Sequence, residues 1–155
     1  MKKLFLLRHG EAGFGEDTDF KRRLTPRGKS TVLKVAKTVS KTQDSIDFMF
    51  CSPASRTLET AEIFGNVILI KASQEVEKIY SGDLNQLILL LESLPDSIES
   101  CLMVGHNPTI SLLLSLLSDC SYVNLQPGNL GIIEFGFGTW KMVSRGSGTL
   151  LEIIA

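Results

Sequence analysis

Short apolar runs recur along the chain, and each one stops abruptly at polar or turn-forming residues. The runs cover residues 4–7, 46–51, 67–70 and 101–105. Brief apolar runs bounded by turn signals are typical of strands that are buried on both faces of a parallel sheet. The pattern therefore predicts a strand at each of the four positions.

Between these runs, apolar residues recur at helical spacing. The spacing predicts helices over residues 29–41, 55–64, 84–94 and 109–117. Leu58, Ala61 and Phe64 form the predicted apolar face of the second helix. Thr25 and Asp83 stand where helix N-caps are expected. Strands that alternate with helices of this length indicate βαβ units, and hence an α/β fold with a mainly parallel sheet.

The C-terminal part of the chain departs from this alternation. Residues 132–135 and 140–143 are predicted to pair as a closing hairpin around the glycine-rich turn at 136–138. Residues 71–82 have no regular period and are predicted to be irregular. No internal repeat or linker divides the sequence, so we expect a single domain over residues 1–155.

Composition narrows the class of protein. The chain has 43% hydrophobic residues, 21% charged residues and a net charge of -1, which is typical of a globular protein and predicts neither a nucleic-acid nor a membrane partner. Its apolar stretches fall short of the roughly 20 residues of a transmembrane helix, and its start lacks a signal-peptide pattern, so we expect a cytoplasmic location. Cys51, Cys101 and Cys120 form no paired motif and are expected to be free thiols.

Basic residues and histidines follow three of the apolar runs. Arg8 and His9 follow the first, Arg56 lies in the first turn of the helix after the second, and His106 follows the fourth. The carboxyl ends of parallel strands share one edge of a sheet, where open α/β folds bind their ligands, so we expect these four side chains to converge. A cation at a helix start, where the dipole already favours anions, makes sense if an anion is bound there.

The residue types favour phosphate as that anion. Two guanidiniums offer forked donors, and helix N-termini add backbone N–H groups, which together suit a tetrahedral dianion. The only two histidines of the chain have arginines beside them and no carboxylate cluster, which makes a poor metal site. No Walker loop or dinucleotide-binding glycine pattern is present, so no cofactor is expected.

Three motifs in order resemble the histidine phosphatase superfamily, also called the phosphoglycerate mutase-like superfamily. They are LLRHGEA at residues 6–12, SPASRTLETA at 52–61 and VGHNP at 104–108. The short length, the RLTPRG stretch at 23–28 and the GHNP sequence look most like its small SixA-type phosphohistidine phosphatase branch. The resemblance implies a three-layer α/β/α sandwich with a mainly parallel central sheet and no large cap insertion.

The resemblance also implies roles for individual residues. His9 would be the nucleophile that forms a phosphohistidine intermediate, without a metal ion, while Arg8, Arg56 and a protonated His106 hold the phosphate oxygens. Arg22 would lie at the pocket rim. Glu77 resembles the family's proton donor, although a solvated loop carboxylate is an equally good interpretation of that position.

The sequence leaves the substrate and some alternatives open. Cys51, Glu59 and the turn at residues 127–129 depart from the family pattern. Protein-borne phosphohistidine is favoured as substrate, against a phosphatase or mutase that acts on small phosphomonoesters and against a non-catalytic phosphate-binding regulatory module. A cysteine phosphatase is a further alternative, but Cys51 and Arg56 are separated by four residues where that family requires five, and both histidines would lack a role.

Overall fold

The computed structural model describes residues 1–155 and contains eight strands and five α-helices. The strands are β1 (Lys2–Arg8), β2 (Ser45–Ile46), β3 (Phe48–Cys51), β4 (Leu69–Ile70), β5 (Ser73–Glu75), β6 (Ser100–Gly105), β7 (Leu130–Phe135) and β8 (Gly148–Ile154). The helices are α1 (Pro26–Ser40), α2 (Ser55–Gly65), α3 (Glu77–Ser81), α4 (Leu84–Glu92) and α5 (Thr109–Ser118), and short 3-10 turns cover Asp19–Lys21 and Trp140–Met142. None of these helices is both long enough and apolar enough to span a bilayer.

Six strands form the central sheet in the order β5-β3-β6-β1-β7-β8. The first four are parallel to their neighbours, and β7 runs antiparallel to both β1 and β8, so five strands share one direction. Arg8 pairs with Gly105, and Cys51 pairs with Val104, so β1, β3 and β6 end near the same level. The predicted mainly parallel sheet is confirmed, and the residues that follow these strands lie along one edge.

The unbroken apolar sequence of β1 is buried on both faces. Leu4 and Leu6 pack in one core with α4 and α5, whereas Phe5 and Leu7 pack in a second core with α1 and α2. Because successive side chains of a strand point to opposite faces, a single run serves both layers. This arrangement confirms the three-layer α/β/α fold.

Side-chain caps begin two of the helices where the sequence predicts them. The Thr25 hydroxyl accepts a hydrogen bond from the backbone N–H of Gly28 at 2.9 Å, at the start of α1. The Asp83 carboxylate accepts from the backbone N–H of Gln86 at 3.2 Å, and the Gln86 side chain accepts from the Asp83 N–H at 3.2 Å. The second pair is a reciprocal capping box, which satisfies two N–H groups at the start of α4.

Residues 140–143 do not form the predicted arm of a hairpin. Trp140–Met142 is a 3-10 turn, and β8 pairs with β7 in its place. The Trp140 indole is fully buried, its ring centroid lies 6.1 Å from that of Phe135, and its Nε1–H donates to the Ile98 carbonyl at 2.8 Å. Insertion of this large ring into the core takes the backbone out of the sheet.

The middle of the chain also differs from the prediction. The run at residues 46–51 is divided between β2 and β3, and the run at 67–70 supplies only β4, which pairs with β2 outside the main sheet. Residues 71–82, predicted to be irregular, contain β5 and α3. All three residues of β5 are exposed, so no alternation of apolar and polar residues marks this edge strand.

The inward face of α2 is more polar than the sequence pattern suggests. Ala61 and Phe64 are buried as predicted, but Leu58 is exposed, and Arg56 and Thr60 take inward positions. The first two turns of α2 therefore contribute polar groups to the edge of the sheet, and its last turn contributes to the core. The Thr60 hydroxyl accepts from the backbone N–H of Gly10 at 3.1 Å, which ties α2 to the residue after His9.

Candidate active site

His9 lies directly after β1, and its imidazole is buried. Its Nδ1 lies 2.7 Å from the carbonyl oxygen of Gly10, which can only accept, so Nδ1 carries the proton of the neutral ring. The lone pair of neutral His9 is therefore on Nε2. The Nε–H of Arg56 donates to this atom at 3.3 Å. Nε2 of His9 is the candidate nucleophile, and a guanidinium lies beside it.

Burial keeps His9 in the form that carries this lone pair. The pKa of His9 falls to about 4, chiefly because the imidazole is buried, although the hydrogen bond to Gly10 favours the charged form. The positive charges of Arg56 and Arg8 lower the pKa further. His9 is therefore neutral at pH 7, as a nitrogen nucleophile must be.

The turn at residues 127–129, where the sequence departs from the family pattern, braces the backbone of the candidate nucleophile. Gly128 has a φ of 81°, in the left-handed region that favours glycine, and its N–H donates to the carbonyls of Arg8 at 3.1 Å and His9 at 2.9 Å. The Arg8 N–H donates in turn to the carbonyl of Asn129 at 3.1 Å. The turn thus has a structural role beside the site.

The position of Arg56 in the first turn of α2 predicts a bound anion beside it. In the structure, the anion beside Arg56 is a carboxylate of the protein itself, that of Asp19. Arg56 Nη1 donates to the backbone carbonyl of Asp19 at 2.7 Å, and its Nη2 donates to the Asp19 carboxylate at 3.1 Å. The Arg56 side chain is buried, whereas the Asp19 side chain is half-exposed. Asp19 is a site residue that the sequence pattern does not single out, and the only signal for it is the cation at Arg56, which needs an anionic partner.

Asp19 receives hydrogen bonds from three side chains. Besides Arg56, the Tyr80 hydroxyl donates to its carboxylate at 2.9 Å, and Arg22 donates at 3.2 Å. The bond from Tyr80 is the largest cause that lowers the pKa of Asp19, and with those from Arg22 and Arg56 it brings the pKa to about 2. Asp19 is therefore a carboxylate throughout the neutral range.

Arg8 and Arg22 are both held through backbone carbonyls. Arg8 Nη1 donates to the Leu125 carbonyl at 2.9 Å, while its Nε is buried and has no partner within the protein. Arg22 Nε donates to the Gly13 carbonyl at 2.9 Å. The two anchored guanidiniums, together with Arg56, provide three sets of forked donors near His9, and the pKa of His9 responds to all three.

His106, which follows β6, lies next to His9. The two ring centroids are 5.2 Å apart, and Nε2 of His106 is hydrogen bonded to the Ser52 hydroxyl at 2.7 Å. Burial is the largest cause that lowers the pKa of His106, to about 3, and the positive charge of Arg56 acts in the same direction, as does that of His9 once it is protonated. His106 is therefore neutral at pH 7, in contrast to the protonated form implied by the family resemblance. A phosphate dianion beside the ring would favour the imidazolium form.

These pKa values lead to a direct prediction for the ligand-free protein. Because burial lowers both pKa values to about 4 or below, neither imidazole should titrate between pH 8 and about 5.5. Imidazole ¹H–¹⁵N correlation spectra can follow both rings, since the chain has only these two histidines. A titration midpoint near 6.5, the ordinary value for histidine, at either ring would contradict the described burial.

Glu77, the predicted proton donor, is not brought together with the other residues. It is the first residue of α3, its side chain is exposed, and its carboxylate makes no hydrogen bond or ion pair. Tyr80, one turn later in α3, is the residue that reaches the site, with its ring centroid 5.5 Å from that of His106. The position of Glu77 fits a solvated carboxylate.

Cys51 has the properties of a core residue. All three cysteines are unpaired, and Cys51 is buried at the end of β3, where its thiol donates to the Ser52 carbonyl at 3.2 Å. Burial raises the pKa of the Cys51 thiol to about 12, so the thiolate needed by a cysteine phosphatase is absent at neutral pH. The cysteine phosphatase alternative has no support in this geometry.

Glu59, another departure from the family pattern, pairs with groups outside the His9 cluster. Its carboxylate accepts from the backbone N–H of Leu24 at 2.9 Å and lies 3.7 Å from Arg23 and 3.9 Å from Lys29. Two neighbouring cations account for an acidic residue at this position. Glu59 therefore helps to attach α2 to the start of α1.

The assembled groups fit an oxyanion with a tetrahedral centre. Three guanidiniums surround a buried imidazole with a lone pair, and Nε of Arg8 and Nδ1 of His106 are buried polar atoms with no partner in the protein. No group of three or more histidine, cysteine, aspartate or glutamate side chains is arranged to hold a metal ion. The arrangement can bind a phosphoryl group and present a nitrogen nucleophile to it.

Comparisons with known sequences agree with this chemistry. A family model described as the histidine phosphatase superfamily (branch 1) matches residues 4–87, more than half of the chain. Phosphohistidine phosphatase SixA from Escherichia coli (strain K12) is 27% identical over 118 residues, which cover 74% of this chain and 73% of that protein.

Solved structures share the fold over nearly the whole chain. The protein histidine phosphatase SixA complexed with tungstate has a TM-score of 0.86 and 20% identity, over 99% of this chain and 96% of that one. A phosphoserine phosphatase from Entamoeba histolytica in complex with 3-phosphoglyceric acid has a TM-score of 0.66 and 18% identity, over 100% of this chain and 98% of that one. At such identities the similarity shows the fold, and the substrate has to be argued from the site.

Proposed function

Because the chain belongs to the histidine phosphatase superfamily (branch 1), we propose that this phosphatase removes phosphate from phosphohistidine on proteins through a covalent intermediate on His9. The observation that carries the proposal is the state of the His9 ring. Its Nδ1–H is held by the Gly10 carbonyl, its pKa is about 4, and its Nε2 lone pair lies beside Arg56. A neutral, oriented imidazole is the requirement for attack on phosphorus.

The proposed reaction has two displacement steps. In the first, the Nε2 lone pair of His9 forms a bond to phosphorus, while the bond from phosphorus to the substrate nitrogen breaks and its electron pair stays on the substrate ring, which carries a proton on its other nitrogen and so leaves as neutral imidazole. In the second, water attacks phosphorus, the bond to Nε2 breaks, and its electron pair returns to His9 as inorganic phosphate leaves. Arg8, Arg56, Arg22 and His106 would hold the phosphoryl oxygens, whose charge has to be stabilised in both steps.

The carboxylates near the site favour phosphohistidine over alkyl phosphates. Asp19 is ionised at neutral pH because Tyr80, Arg22 and Arg56 all donate to it, and Glu77 is exposed without a polar contact. Asp19 therefore has no proton to donate to a leaving alkoxide, and no hydrogen bond or ion pair holds the Glu77 carboxylate at the site. A phosphorylated imidazole can take up a proton from water on its other ring nitrogen and then leave as neutral imidazole, so it does not require a donor from the protein. The name of the E. coli relative, phosphohistidine phosphatase, agrees with this preference.

The charges at the site and the state of the cysteines also indicate the cofactor requirement and the cellular location of the reaction. A cation cluster around His9 and His106 attracts anions and repels metal ions, which supports a reaction without a metal or other cofactor. Three unpaired cysteines suit a reducing compartment, so we place the reaction in the cytoplasm.

The proposal is tested by the rate of phosphate release from three substrates in excess EDTA: a phosphohistidine-bearing carrier protein, an aryl phosphate and an alkyl phosphate. We expect rapid release from the carrier, slower release from the aryl ester and very slow release from the alkyl ester. Equal rates with the alkyl ester would contradict the absence of a proton donor. Loss of activity in EDTA that a divalent cation restores would contradict the metal-independent mechanism, and tight carrier binding without release would indicate a binding module.

The contact between Asp19 and the arginines predicts the effect of one mild substitution. Asp19→Asn removes a negative charge that a phosphate dianion must approach, so inorganic phosphate should inhibit the variant about three- to tenfold more strongly. Asp17→Asn is the matched control, because Asp17 is an exposed neighbour that only approaches Lys21, at 4.0 Å. Weaker inhibition of Asp19→Asn than of the control would show instead that Asp19 orients the arginines for phosphate.

A further inference from the structure

The exposed aromatic side chains of this chain are concentrated around the candidate active site. Of its eleven aromatic residues, only Phe14, Phe20 and Tyr122 are exposed, at 84%, 38% and 53%. Two of them lie in the segment after β1 that carries Asp19, and the third lies in the segment after α5 that supplies the Leu125 carbonyl to Arg8. With the partly exposed Tyr80, they form a set that we call the aromatic rim.

Contacts with the charged residues of the site hold the aromatic rim in place. The Arg22 guanidinium lies 4.1 Å from the centre of the Phe14 ring, a cation–π contact, while the same side chain binds Asp19. Phe20 packs edge-on against Tyr80 with ring centroids 5.1 Å apart. The aromatic side chains are therefore connected through Arg22 and Asp19 to Arg56.

The other side of the rim is connected to Arg8. Tyr122 belongs to the same segment as Leu125, whose carbonyl accepts from Arg8 at 2.9 Å. Burial lowers the pKa of the Arg8 guanidinium, and Tyr122 raises it. Its hydroxyl donates to the Asn124 side chain at 3.4 Å, which accepts from Asn107 at 2.7 Å, the residue after His106. Aromatic groups thus lie beside the arginines at two separate segments of the site.

We propose that the aromatic rim is the surface on which the protein that carries the phosphohistidine docks, an inference that rests on the proposed function. The guanidiniums at the centre complement the phosphoryl charge, and the rings around them offer apolar area to the side chains that flank the phosphorylated histidine. Aromatic and arginine side chains are enriched at protein interfaces, and aromatic rings bury a large area at a small entropic cost. A small phosphorylated molecule bound to Arg8 and Arg56 would leave the exposed rings of Phe14 and Tyr122 uncovered.

If the aromatic rim is a docking surface, its substitution should slow the hydrolysis of a protein substrate and not that of a small substrate. The experiment compares the two substrates. Values of kcat and KM are measured for wild type, Phe14→Ala and Tyr122→Ala with a phosphohistidine-bearing carrier protein and with inorganic phosphoramidate, a small substrate that has the same phosphorus–nitrogen bond. Each variant should lower kcat/KM for the carrier about 5- to 20-fold, mainly through KM. Phosphoramidate hydrolysis should change less than twofold, because Arg22 keeps its hydrogen bonds to Gly13 and Asp19 without Phe14, and Arg8 keeps its bond to Leu125 without Tyr122.

Two control variants make the result specific. Phe14→Trp keeps an aromatic surface and should retain carrier activity. Met142→Ala removes a side chain of similar exposure, 57%, in the turn that follows β7 at the opposite edge of the sheet, and should leave both substrates unaffected. The docking surface would be overturned if carrier activity survived both alanine substitutions, or if both substrates lost activity equally. Turnover by the wild type would still support the proposed phosphatase activity in that case. If wild type hydrolyses neither substrate, the proposed function fails first.

Discussion

Replacement of His9 with alanine should abolish phosphate release from every substrate. The expected loss in kcat is at least about 1,000-fold, because the variant has no nitrogen at the position of Nε2 and the covalent route is closed. The remaining arginines would still bind phosphate, so inhibition of carrier binding by inorganic phosphate should persist. Phosphate release by the purified variant, measured with the phosphohistidine carrier and with an aryl phosphate, checks the expectation.

The His9 experiment needs a control that removes the other imidazole. His106→Ala keeps the candidate nucleophile and loses only a group beside the phosphate, so it should retain more activity than His9→Ala. A circular dichroism spectrum and a melting curve for each variant show whether the fold survives. A folded His9→Ala variant with more than a tenth of wild-type activity would rule out His9 as the nucleophile.

Replacement of Arg56 with alanine should produce the second largest loss. This buried guanidinium donates to Nε2 of His9 and to Asp19, so its removal takes away charge beside the phosphoryl group and releases the segment that carries Asp19. Removal of one preorganised donor of this kind costs about 100- to 1,000-fold in rate, which is the loss expected here in kcat/KM. Initial rates with an aryl phosphate measure it without a contribution from protein docking.

Two further variants serve as controls: one separates the effect of the guanidinium shape of Arg56 from the effect of its charge, and the other removes an arginine outside the site. Arg56→Lys keeps a positive charge but loses the planar fork, so it should recover only part of the activity. Arg27→Ala removes an exposed guanidinium whose partner is Glu11 at 2.9 Å on the surface, and it should leave the rate unchanged. Full activity in Arg56→Lys would mean that charge alone is required, and full activity in Arg56→Ala would remove this residue from the site.

The hydrophobic pattern of β1 illustrates what could be predicted from the sequence. A short run of apolar residues that ends at Arg8 and His9 favours a buried parallel strand with its polar end at the sheet edge. The other parallel strands bring Arg56 and His106 to the same edge. Those inferences depend only on local sequence and strand direction. The structure places all four side chains around one another, as that reasoning predicts.

The sequence-based predictions are wrong where contacts between residues far apart in the chain determine which side chains are buried. Trp140 leaves the predicted strand because its indole fills a core space beside Phe135, and no local signal shows that space. Leu58 is exposed because Arg56 and Thr60 take the inward face of α2, where they serve the site. In both cases a nonlocal partner determines which side of the backbone faces inward.

The partners of the site residues were harder to predict than the residues themselves. Asp19 lies in a loop of glycine and acidic residues that resembles any solvated turn, and its role depends on how that loop folds back over Arg56. Ser52 is the first residue of the motif at 52–61, but nothing in that motif shows that its hydroxyl bonds to His106. Such pairings depend on the tertiary path of loops, which periodicity does not encode.

The covalent intermediate is the most direct test of the central claim. The wild-type protein is mixed with ³²P-labelled phosphohistidine carrier, quenched in alkali within milliseconds and digested, and the labelled peptide is mapped by mass spectrometry. We predict an alkali-stable, acid-labile phosphoryl group on Nε2 of His9, and none on the His9→Ala variant. A label on another residue, or phosphate release at full rate with no phosphorylated protein at any time, would contradict His9 as the nucleophile.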